Sequence, residues 1–415
     1  MVSSIGALAA LIVAIILILK KISPTYSMMA GAIVGGLIGG VSLVDTVDFM
    51  IVGIQDISPA IIRVIAAGIL ASCLIESNAA ITIADFIIDK VGHKHAILAI
   101  ILATALLCAA GVYGDIAILT VAPIAMSIAA KSGIHKSGLL IAMIGGVKTG
   151  TVMSPNPNTM AITDSFNIPL TQLMFAGIYA AIIGIIVTFI FATMLKKKGE
   201  SFEVNEEHDN VEKPKLLAAI SGPVIAAAIM LLRPLFGIDI DPLVALPVGG
   251  IAGMIFMKKQ KHIVNYLELG LSRMSGVTLL LIGTGTIAGI IKNSELKDTL
   301  IDAINMLGIP VLLLGPIACI FMNIATASST ASTTLTSSIF KDEILASQLT
   351  SLQAGAMINA SSFVFDGLPN GSFFHLSASS VNMSIKERLN ILIYEIGIGL
   401  SMSITSIIVF GVLQF

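Results

Sequence analysis

Long apolar runs, separated by short polar ones, follow one another along nearly the whole chain. Runs of roughly 17–25 apolar residues are long enough to cross a bilayer as α-helices. Period-two alternation, which is typical of membrane barrels, does not occur in the sequence. The pattern therefore predicts an all-α polytopic membrane protein. Spans are expected near residues 4–19, 26–44, 60–75, 96–113, 138–153, 168–195, 216–236, 243–257, 275–291, 310–325, 352–365 and 391–414.

The stretch from residue 145 to 164 interrupts this pattern within an apolar region. Pro155 and Pro157 remove backbone donors and push the residues before them away from helical dihedral angles, so a helix arriving there must break. Open backbone at membrane depth is tolerated only where protein buries it or a water-filled cavity solvates it. The polar side chains predicted to line such a cavity are Ser154, Asn156, Asn158 and Thr159.

A charged segment at residues 199–215 divides the chain almost evenly and is typical of a flexible cytoplasmic linker. We expect two transmembrane halves, residues 1–198 and 216–415. An offset of 212 places Pro157 and Asn158 opposite Pro369 and Asn370. The segments around them, residues 153–159 and 366–372, each lie between apolar spans. Paired interruptions in corresponding positions of two halves indicate a transport site.

Residues 326–334 form a second polar insertion, "TASSTASTT", for which two interpretations remain open. Small hydroxylated residues allow helices to approach closely and hydrogen-bond across a membrane interface. However, nine consecutive Ala, Ser or Thr residues cover every face of a helix, which is more than a packing stripe requires. The alternative is a second broken segment that offers hydroxyl groups to a substrate or an ion.

Asp115 lies between apolar stretches with no basic residue nearby in sequence. A carboxylate within the membrane is costly and indicates a proton carrier or an ion ligand. Alternatively, neighbouring glycines mark a turn that places Asp115 at the membrane surface. The same two alternatives, a functional acid within the membrane or a residue at its surface, remain open for Glu76, Asp366 and Glu395. The intramembrane bases most able to attract an anion are Lys148 and Arg63.

Composition agrees with a membrane protein, since 56% of the residues are hydrophobic, 12% are charged and the mean hydropathy is +0.99. The net charge of -2 argues against a nucleic-acid partner. Cys73, Cys108 and Cys319 have no paired spacing, so we expect buried thiols and neither disulfides nor a metal. The six histidines form no metal-ligand motif. We therefore expect a protein that is not an enzyme and has no cofactor.

Four regions of the chain carry a family resemblance, and the last of them comprises two stretches. "GTGTIAGIIKNSELKDTL", "ATASSTAS" and "YGDIAILTVAP" are similar to two small-residue segments and one acidic segment of the bacterial gluconate permease family. Near the C-terminal end, "NGSFFHL" and "NMSIKERLNILIYE" resemble that family's "NDSGFWL" and "GMSVKETLKTWTVME". Members of the family are proton symporters for gluconate and related small hydroxy acids. The matching stretches are residues 283–300, 325–332, 113–123, 370–376 and 382–395.

The resemblance implies two inverted helical repeats with broken helices and re-entrant hairpins, often dimeric, as in the wider ion transporter superfamily. The chain departs from the family pattern at "SPNPNT", where the family has "PPHPGP", and at Ala327, where it has glycine. Carried over by position, the resemblance implies substrate contacts at Ser154, Asn156, Asn158, Thr159, Ser328, Ser329, Thr330, Asn370 and Ser372.

Together these features predict a secondary active transporter in the bacterial cytoplasmic membrane. It would import gluconate or a related hydroxy acid by proton symport and alternating access, as a homodimer in the lipid bilayer. The proton-coupling candidates are Asp115, Asp366 and Glu76. A sodium-coupled carboxylate or amino-acid symporter, for D-serine for example, is the first alternative, because hydroxyl and carbonyl oxygens at helix breaks ligate Na+. A membrane enzyme and a channel are the others.

Overall fold

The computed structural model describes residues 1–20, 22–92, 95–202, 212–238, 240–296, 310–346, 349–369 and 371–415. Within these residues the regular secondary structure is helical, and Val2 forms an isolated bridge with Ser294. The first half contains α1 (Ser4–Leu19), α2 (Pro24–Ile38), α3 (Leu43–Glu76), α4 (Ala79–Val91), α5 (Ala96–Ala109), α6 (Gly114–Ser132), α7 (Lys136–Thr151), α8 (Pro157–Phe166) and α9 (Leu170–Met194).

The second half contains α10 (Leu216–Phe236), α11 (Pro242–Phe256), α12 (Ile263–Lys292), α13 (Leu314–Thr326), α14 (Ser329–Ile339), α15 (Lys341–Ala346), α16 (Ser351–Ser361), α17 (Ser372–Ser380) and α18 (Ile385–Ser406). Short 3-10 turns, Gln260–His262 and Val311–Leu313, precede α12 and α13. Helix α18 continues as a π-helix over Ile407–Val412.

The all-α prediction is confirmed, although several helix boundaries differ from the predicted spans. Among the described residues, α3, α6, α9, α12 and α18 are long and apolar enough to cross a membrane. Helix α3 begins at Leu43 rather than near residue 60, and Pro59 lies inside it. Ser42 caps its first turn by accepting the Asp45 N–H at 3.1 Å. Polar residues between positions 43 and 59 interrupt the apolar run, so hydropathy alone predicted a span that begins too late.

The order of helices repeats between the halves. Helices begin at residues 96, 114, 136, 157 and 170, and a 3-10 or α-helix begins 215 residues later in each case, at residues 311, 329, 351, 372 and 385. The offset of 212 is therefore wrong for these elements. It was anchored on Pro157 and Pro369, but Pro157 opens α8 whereas Pro369 lies in the loop before α17. A shared proline does not fix a register when the two loops differ in length.

Helix α7 is buried on every face, since each residue from Lys136 to Gly150 is buried. It packs against α5 and α9. Gly150 allows the approach to α5, because a Cβ there would collide with the Ala105 carbonyl and lie 2.7 Å from the Cys108 Cβ. Small residues at membrane helix interfaces permit this close packing. The end of α7, where the first predicted break begins, is thereby held in the protein interior.

Candidate functional site

The first break lies where the prolines predicted it, between the end of α7 at Thr151 and the start of α8 at Pro157. Asn156 caps α8, and its Oδ1 accepts the N–H groups of Asn158 at 2.8 Å and Thr159 at 3.4 Å. The Thr159 hydroxyl accepts the Asn156 N–H in return, at 3.1 Å, which completes a capping box. Pro157 suits the first helical position because no intrahelical partner exists there for an N–H.

Ser154, Asn156 and Thr159 are all buried, and their side chains bond mainly within the break. The Asn156 Nδ2 donates to the Ser154 Oγ at 2.9 Å and to the Thr151 carbonyl. The Thr159 hydroxyl donates to the Ser154 carbonyl at 2.7 Å. These three side chains therefore satisfy backbone groups that the broken helix leaves open.

Asn158 differs from its neighbours because it reaches the second half of the chain. Its Oδ1 accepts a hydrogen bond from the Thr330 hydroxyl at 2.6 Å. Its Nδ2 is buried and has no hydrogen-bond partner among the described residues. A buried donor left unpaired is costly, so it indicates a place where a ligand atom accepts.

The hydroxyl-rich insertion of the second half contains both a break and a helix. Helix α13 ends at Thr326, Ala327 has φ of 45°, and α14 begins at Ser329 with Ser328 as its cap. The Ser328 Oγ accepts the Ala331 N–H at 3.3 Å. Beyond the break, most of the hydroxylated residues of α14 are buried and pack in the interior: Thr330, Ser332, Thr333, Thr334, Thr336 and Ser337. The insertion is therefore a helix break in its first part and a packed helix in its second part.

The other break of the second half separates α16, which ends at Ser361, from α17, which begins at Ser372. The Phe365 N–H in this loop donates to the Asn323 Oδ1 at 2.6 Å. The loop also carries Asp366. Asn370, a predicted substrate contact, lies outside the described residues.

A cavity of about 110 Å³ lies where these breaks meet. Residues from the N-terminal ends of four helices line it: Gly114 and Asp115 of α6, Asn156 and Asn158 at α8, Ser328 and Ser329 at α14, and Ser372 and Phe373 of α17. The cavity thus brings together most of the predicted site residues from both halves. Ser154, Thr159, Thr330 and Glu76 do not line it.

The four helix ends make this cavity suitable for an anion. A helix N-terminus carries a partial positive charge and unpaired N–H groups, which favour bound carboxylates and phosphates. Neither α6 nor α17 has a side-chain cap on its first N–H groups in the described structure. The two acids on the wall, Asp115 and Asp366, oppose this preference unless a proton or another cation neutralises them.

Four charged side chains extend from the cavity wall into the interior. The Lys148 Nζ contacts Asp366, donates to the Phe363 carbonyl at 2.7 Å and lies 3.4 Å from the Glu395 Oε1. The Arg388 Nη2 donates to the Glu395 Oε2 at 2.5 Å. Of the four, only Asp366 lines the cavity. With every group ionised, the cluster carries two positive and two negative charges.

Arg388, whose side chain is fully buried, was not predicted as a site residue. It follows the capping motif at Ser384 in a segment that resembles the solvated start of a helix. The seven-residue spacing between Arg388 and Glu395 could have indicated an ion pair, because residues seven apart lie on one face of a helix. The cavity is also lined by Tyr113, Phe363 and Phe373, which were not predicted as site residues.

Glu76 and Arg63, two other predicted candidates, have partners elsewhere. Glu76 at the end of α3 pairs with Arg273 of α12. Arg63 pairs with Asp164 and, at 2.6 Å, with Asp241. The guanidinium beside Asp241 lowers the pKa of that carboxyl below its ordinary value.

The Arg63 pairs line a second cavity of about 480 Å³. It is larger than the first, but its wall carries three aspartates and one arginine. The formal charge of the two cavity walls is therefore the same, and the cavity between the breaks suits an anion better because the N-terminal ends of four helices line it.

The chain is similar to known transporters. The model of the GntP family permease matches residues 2–414. An uncharacterized transporter of Haemophilus influenzae is 49% identical over 100% of this chain and 99% of its own length. A high-affinity gluconate transporter of Escherichia coli is 21% identical over 89% of each chain. The crystal structure of the YdaH transporter of Alcanivorax borkumensis matches with a TM-score of 0.61 and 12% identity, covering 87% of this chain and 88% of that one.

Proposed function

Because this chain belongs to the GntP family of permeases and is a multi-pass membrane transporter, we propose that it imports a small organic anion by proton symport. Gluconate or a related hydroxy acid is the proposed substrate, and alternating access is the proposed mode of transport. The observation that carries the proposal is the cavity onto which four helix N-termini open. We place the protein as a homodimer in the cytoplasmic membrane of a bacterium.

In this proposal the substrate carboxylate binds at the N-termini of α6 and α17, whose first N–H groups have no side-chain cap in the described structure. These donors are fixed before the substrate arrives, so binding costs little reorganisation. The Asn158 Nδ2 then donates to a carboxylate or hydroxyl oxygen. Ser328, Ser329 and Ser372 on the cavity wall bind the remaining hydroxyl groups.

The coupling proton requires an acid that the cavity can reach. Asp115 and Asp366 line the cavity, whereas Glu76 pairs with Arg273 away from it. A membrane carboxylate without full compensation takes a proton readily, since the neutral form costs less in a low dielectric. Asp115 and Asp366 are therefore better supported than Glu76 as proton carriers.

A sodium-coupled amino-acid symporter is the second candidate function. The described lining of the cavity contains two carboxylates and no Lys, Arg or His. A substrate ammonium group would pair with Asp115, while the substrate carboxylate occupied the helix N-termini. D-serine is a suitable probe for this alternative, and replacement of sodium by choline separates it from proton coupling.

The test is uptake of D-gluconate by the purified protein in proteoliposomes under an imposed pH gradient. We expect accumulation in choline medium that collapses when the gradient is removed. The Asn158→Ala variant should bind gluconate about 10-fold to 100-fold more weakly, because a hydrogen bond to a charged group contributes roughly 1.5–3 kcal/mol.

Asn293→Ala is the matched control, since the Asn293 Nδ2 donates to the Gly289 carbonyl at 2.8 Å outside the cavity. It should keep the wild-type affinity for gluconate. Accumulation that requires sodium, or that occurs with D-serine but not with gluconate, would favour the second candidate instead.

A further inference from the structure

The buried charges behind the cavity wall form one connected chain across three structural elements. Lys148 comes from α7 in the first half, Asp366 from the loop before α17, and Glu395 from α18. Lys148, Glu395 and Arg388 are inaccessible to solvent, whereas the Asp366 side chain is 13% exposed. Of these four groups, Asp366 is therefore the first that a proton entering from the cavity meets.

The Lys148 ammonium group donates hydrogen bonds to the Asp366 carboxylate and to the Phe363 carbonyl. It also forms an ion pair with the Glu395 Oε1 at 3.4 Å, an oxygen that accepts no hydrogen bond in the described structure. Glycine at position 367 allows the loop to lie directly on Glu395, because a Cβ there would overlap the carboxylate. Lys148 is thereby fixed behind Asp366 and does not itself line the cavity.

The charge balance of this cluster depends on Asp366. With all four groups ionised, the cluster is neutral, and an anion in the cavity would add one uncompensated negative charge. With Asp366 protonated, the cluster carries one uncompensated positive charge, which an anion in the cavity neutralises. Uncompensated charge in a low-dielectric interior is strongly unfavourable. Two states of the protein are therefore favourable. In one, the cavity is empty and Asp366 is ionised; in the other, an anion occupies the cavity and Asp366 is protonated.

We propose that Asp366 takes up the coupling proton and that Lys148 supplies the positive charge that binds the substrate anion once Asp366 is neutral. The proposal rests on the proposed transport of a small anion. The protonated carboxyl of Asp366 donates its O–H to the substrate carboxylate, and the ammonium group of Lys148 compensates the substrate charge from behind. Proton and anion thus bind as a neutral pair, which gives one-to-one symport.

Other charged groups surround Asp366 in the described structure. Asp115 of α6 lines the same cavity, and Arg388 acts on Asp366 through Glu395. The His375 Nε2 of α17 contacts the Pro369 carbonyl at 2.8 Å and is exposed. Asp115 lies in the first turn of α6 and takes no part in the ion pairs that join Lys148, Asp366, Glu395 and Arg388. The Asp115→Asn variant therefore tests whether its charge contributes to the pH dependence.

The first experiment measures gluconate counterflow in proteoliposomes with equal pH on both sides, from pH 6 to pH 8. Linkage to one proton predicts that the half-saturating gluconate concentration rises about tenfold per pH unit wherever Asp366 is ionised in the empty protein. In Asp366→Asn, the amide imitates the protonated acid. We expect counterflow to persist with a pH-independent affinity, while accumulation driven by a pH gradient falls at least tenfold.

Asp56→Asn is the matched control, because it removes the same charge from an exposed pair with Lys292. It should behave as wild type. Asp115→Asn should keep the pH-dependent affinity. Equal pH dependence in Asp366→Asn and wild type would overturn the role of Asp366, and so would loss of that dependence in Asp115→Asn alone.

A second experiment isolates Lys148. Lys148→Gln leaves two buried acids facing one base, so this variant is expected to fold poorly. The double variant Lys148→Gln with Asp366→Asn restores neutrality. It should regain the folded yield of wild type but bind gluconate at least 100-fold more weakly than Asp366→Asn. Wild-type affinity in the double variant would overturn the role of Lys148.

The outcomes also separate this inference from the proposed function. Absence of counterflow in wild type with gluconate, lactate, glycerate and other small carboxylates would overturn the anion transport on which the inference rests. Counterflow in wild type with an affinity that does not change between pH 6 and pH 8 would overturn only the proton and charge roles of Asp366 and Lys148.

Discussion

The two breaks that follow the corresponding helices α7 and α16 are built differently. The first, residues 152–156, is closed by its own capping box, in which Asn156 and Thr159 satisfy each other's backbone groups. The second, residues 362–371, has no side-chain cap at the described Gly371 and depends on partners from distant elements. Asn323 accepts its Phe365 N–H, and Lys148 bonds its Phe363 carbonyl and Asp366.

This difference indicates that the two breaks have different roles in the same cavity. A break whose polar groups are satisfied locally can present fixed donors to a substrate whatever the charge nearby. A break held by ion pairs changes its interactions when one of its acids gains a proton. We therefore expect substitutions in the first break to act through helix capping, and substitutions in the second to act through buried charge.

The largest effect is expected for Arg388→Met, which removes one charge from the network behind the second break. Glu395 would then keep only Lys148, at 3.4 Å, as a compensating charge. Removal of one member of a buried pair costs about 3–5 kcal/mol. Chemical or thermal unfolding of the purified protein would measure this loss. Arg273→Met, at the partly exposed pair with Glu76, should cost less than about 1 kcal/mol.

An intermediate effect is expected for Asn156→Ala in the first break. Loss of an N-cap side chain costs about 1–2 kcal/mol, which the same unfolding measurements would detect. Asn156→Asp keeps the Oδ1 acceptor of the cap and adds a negative charge to the cavity wall. It should retain most of the stability while gluconate affinity falls at least tenfold. Equal losses of stability in both variants would contradict the capping role of Asn156.

The smallest effect is expected at Ala327, where the chain adopts the left-handed conformation with φ of 45°. Ala327→Gly should stabilise the protein by about 0.5–1 kcal/mol, because glycine adopts this conformation without steric cost. The same substitution at Ala331, inside α14, should destabilise by about 1 kcal/mol. A melting temperature that falls in Ala327→Gly would show that the methyl group contributes more through packing than it costs in strain.

Much of the fold and part of the site could be predicted from particular residues. Pro155 and Pro157 located the first break, because proline cannot continue a helix. Asp115 and Asp366 were identified as acids in apolar surroundings, and both line the cavity. The family resemblance is confirmed by the match over residues 2–414. These features depend on local backbone chemistry and on composition.

Hydrogen-bond partners within the site and the register between the two halves could not be predicted from residue types alone. Ser154 and Thr159 were predicted as substrate contacts, but their hydroxyl groups bond to the backbone of the break. The choice between a ligand and the backbone depends on dihedral angles that residue types do not specify. The register of 215 also escaped prediction, because the loops differ in length and the identities are few.

The sequence by itself determined that the chain is a helical membrane protein, where its first helix break lies and to which family it belongs. Those properties follow from hydrophobic run length, from the missing N–H of proline and from matching motifs. Only the tertiary structure decided that four helix N-termini share one cavity and that Lys148 lies behind Asp366. The reason is physical: residues 218 positions apart meet only when both halves pack together, and packing is a property of the whole chain.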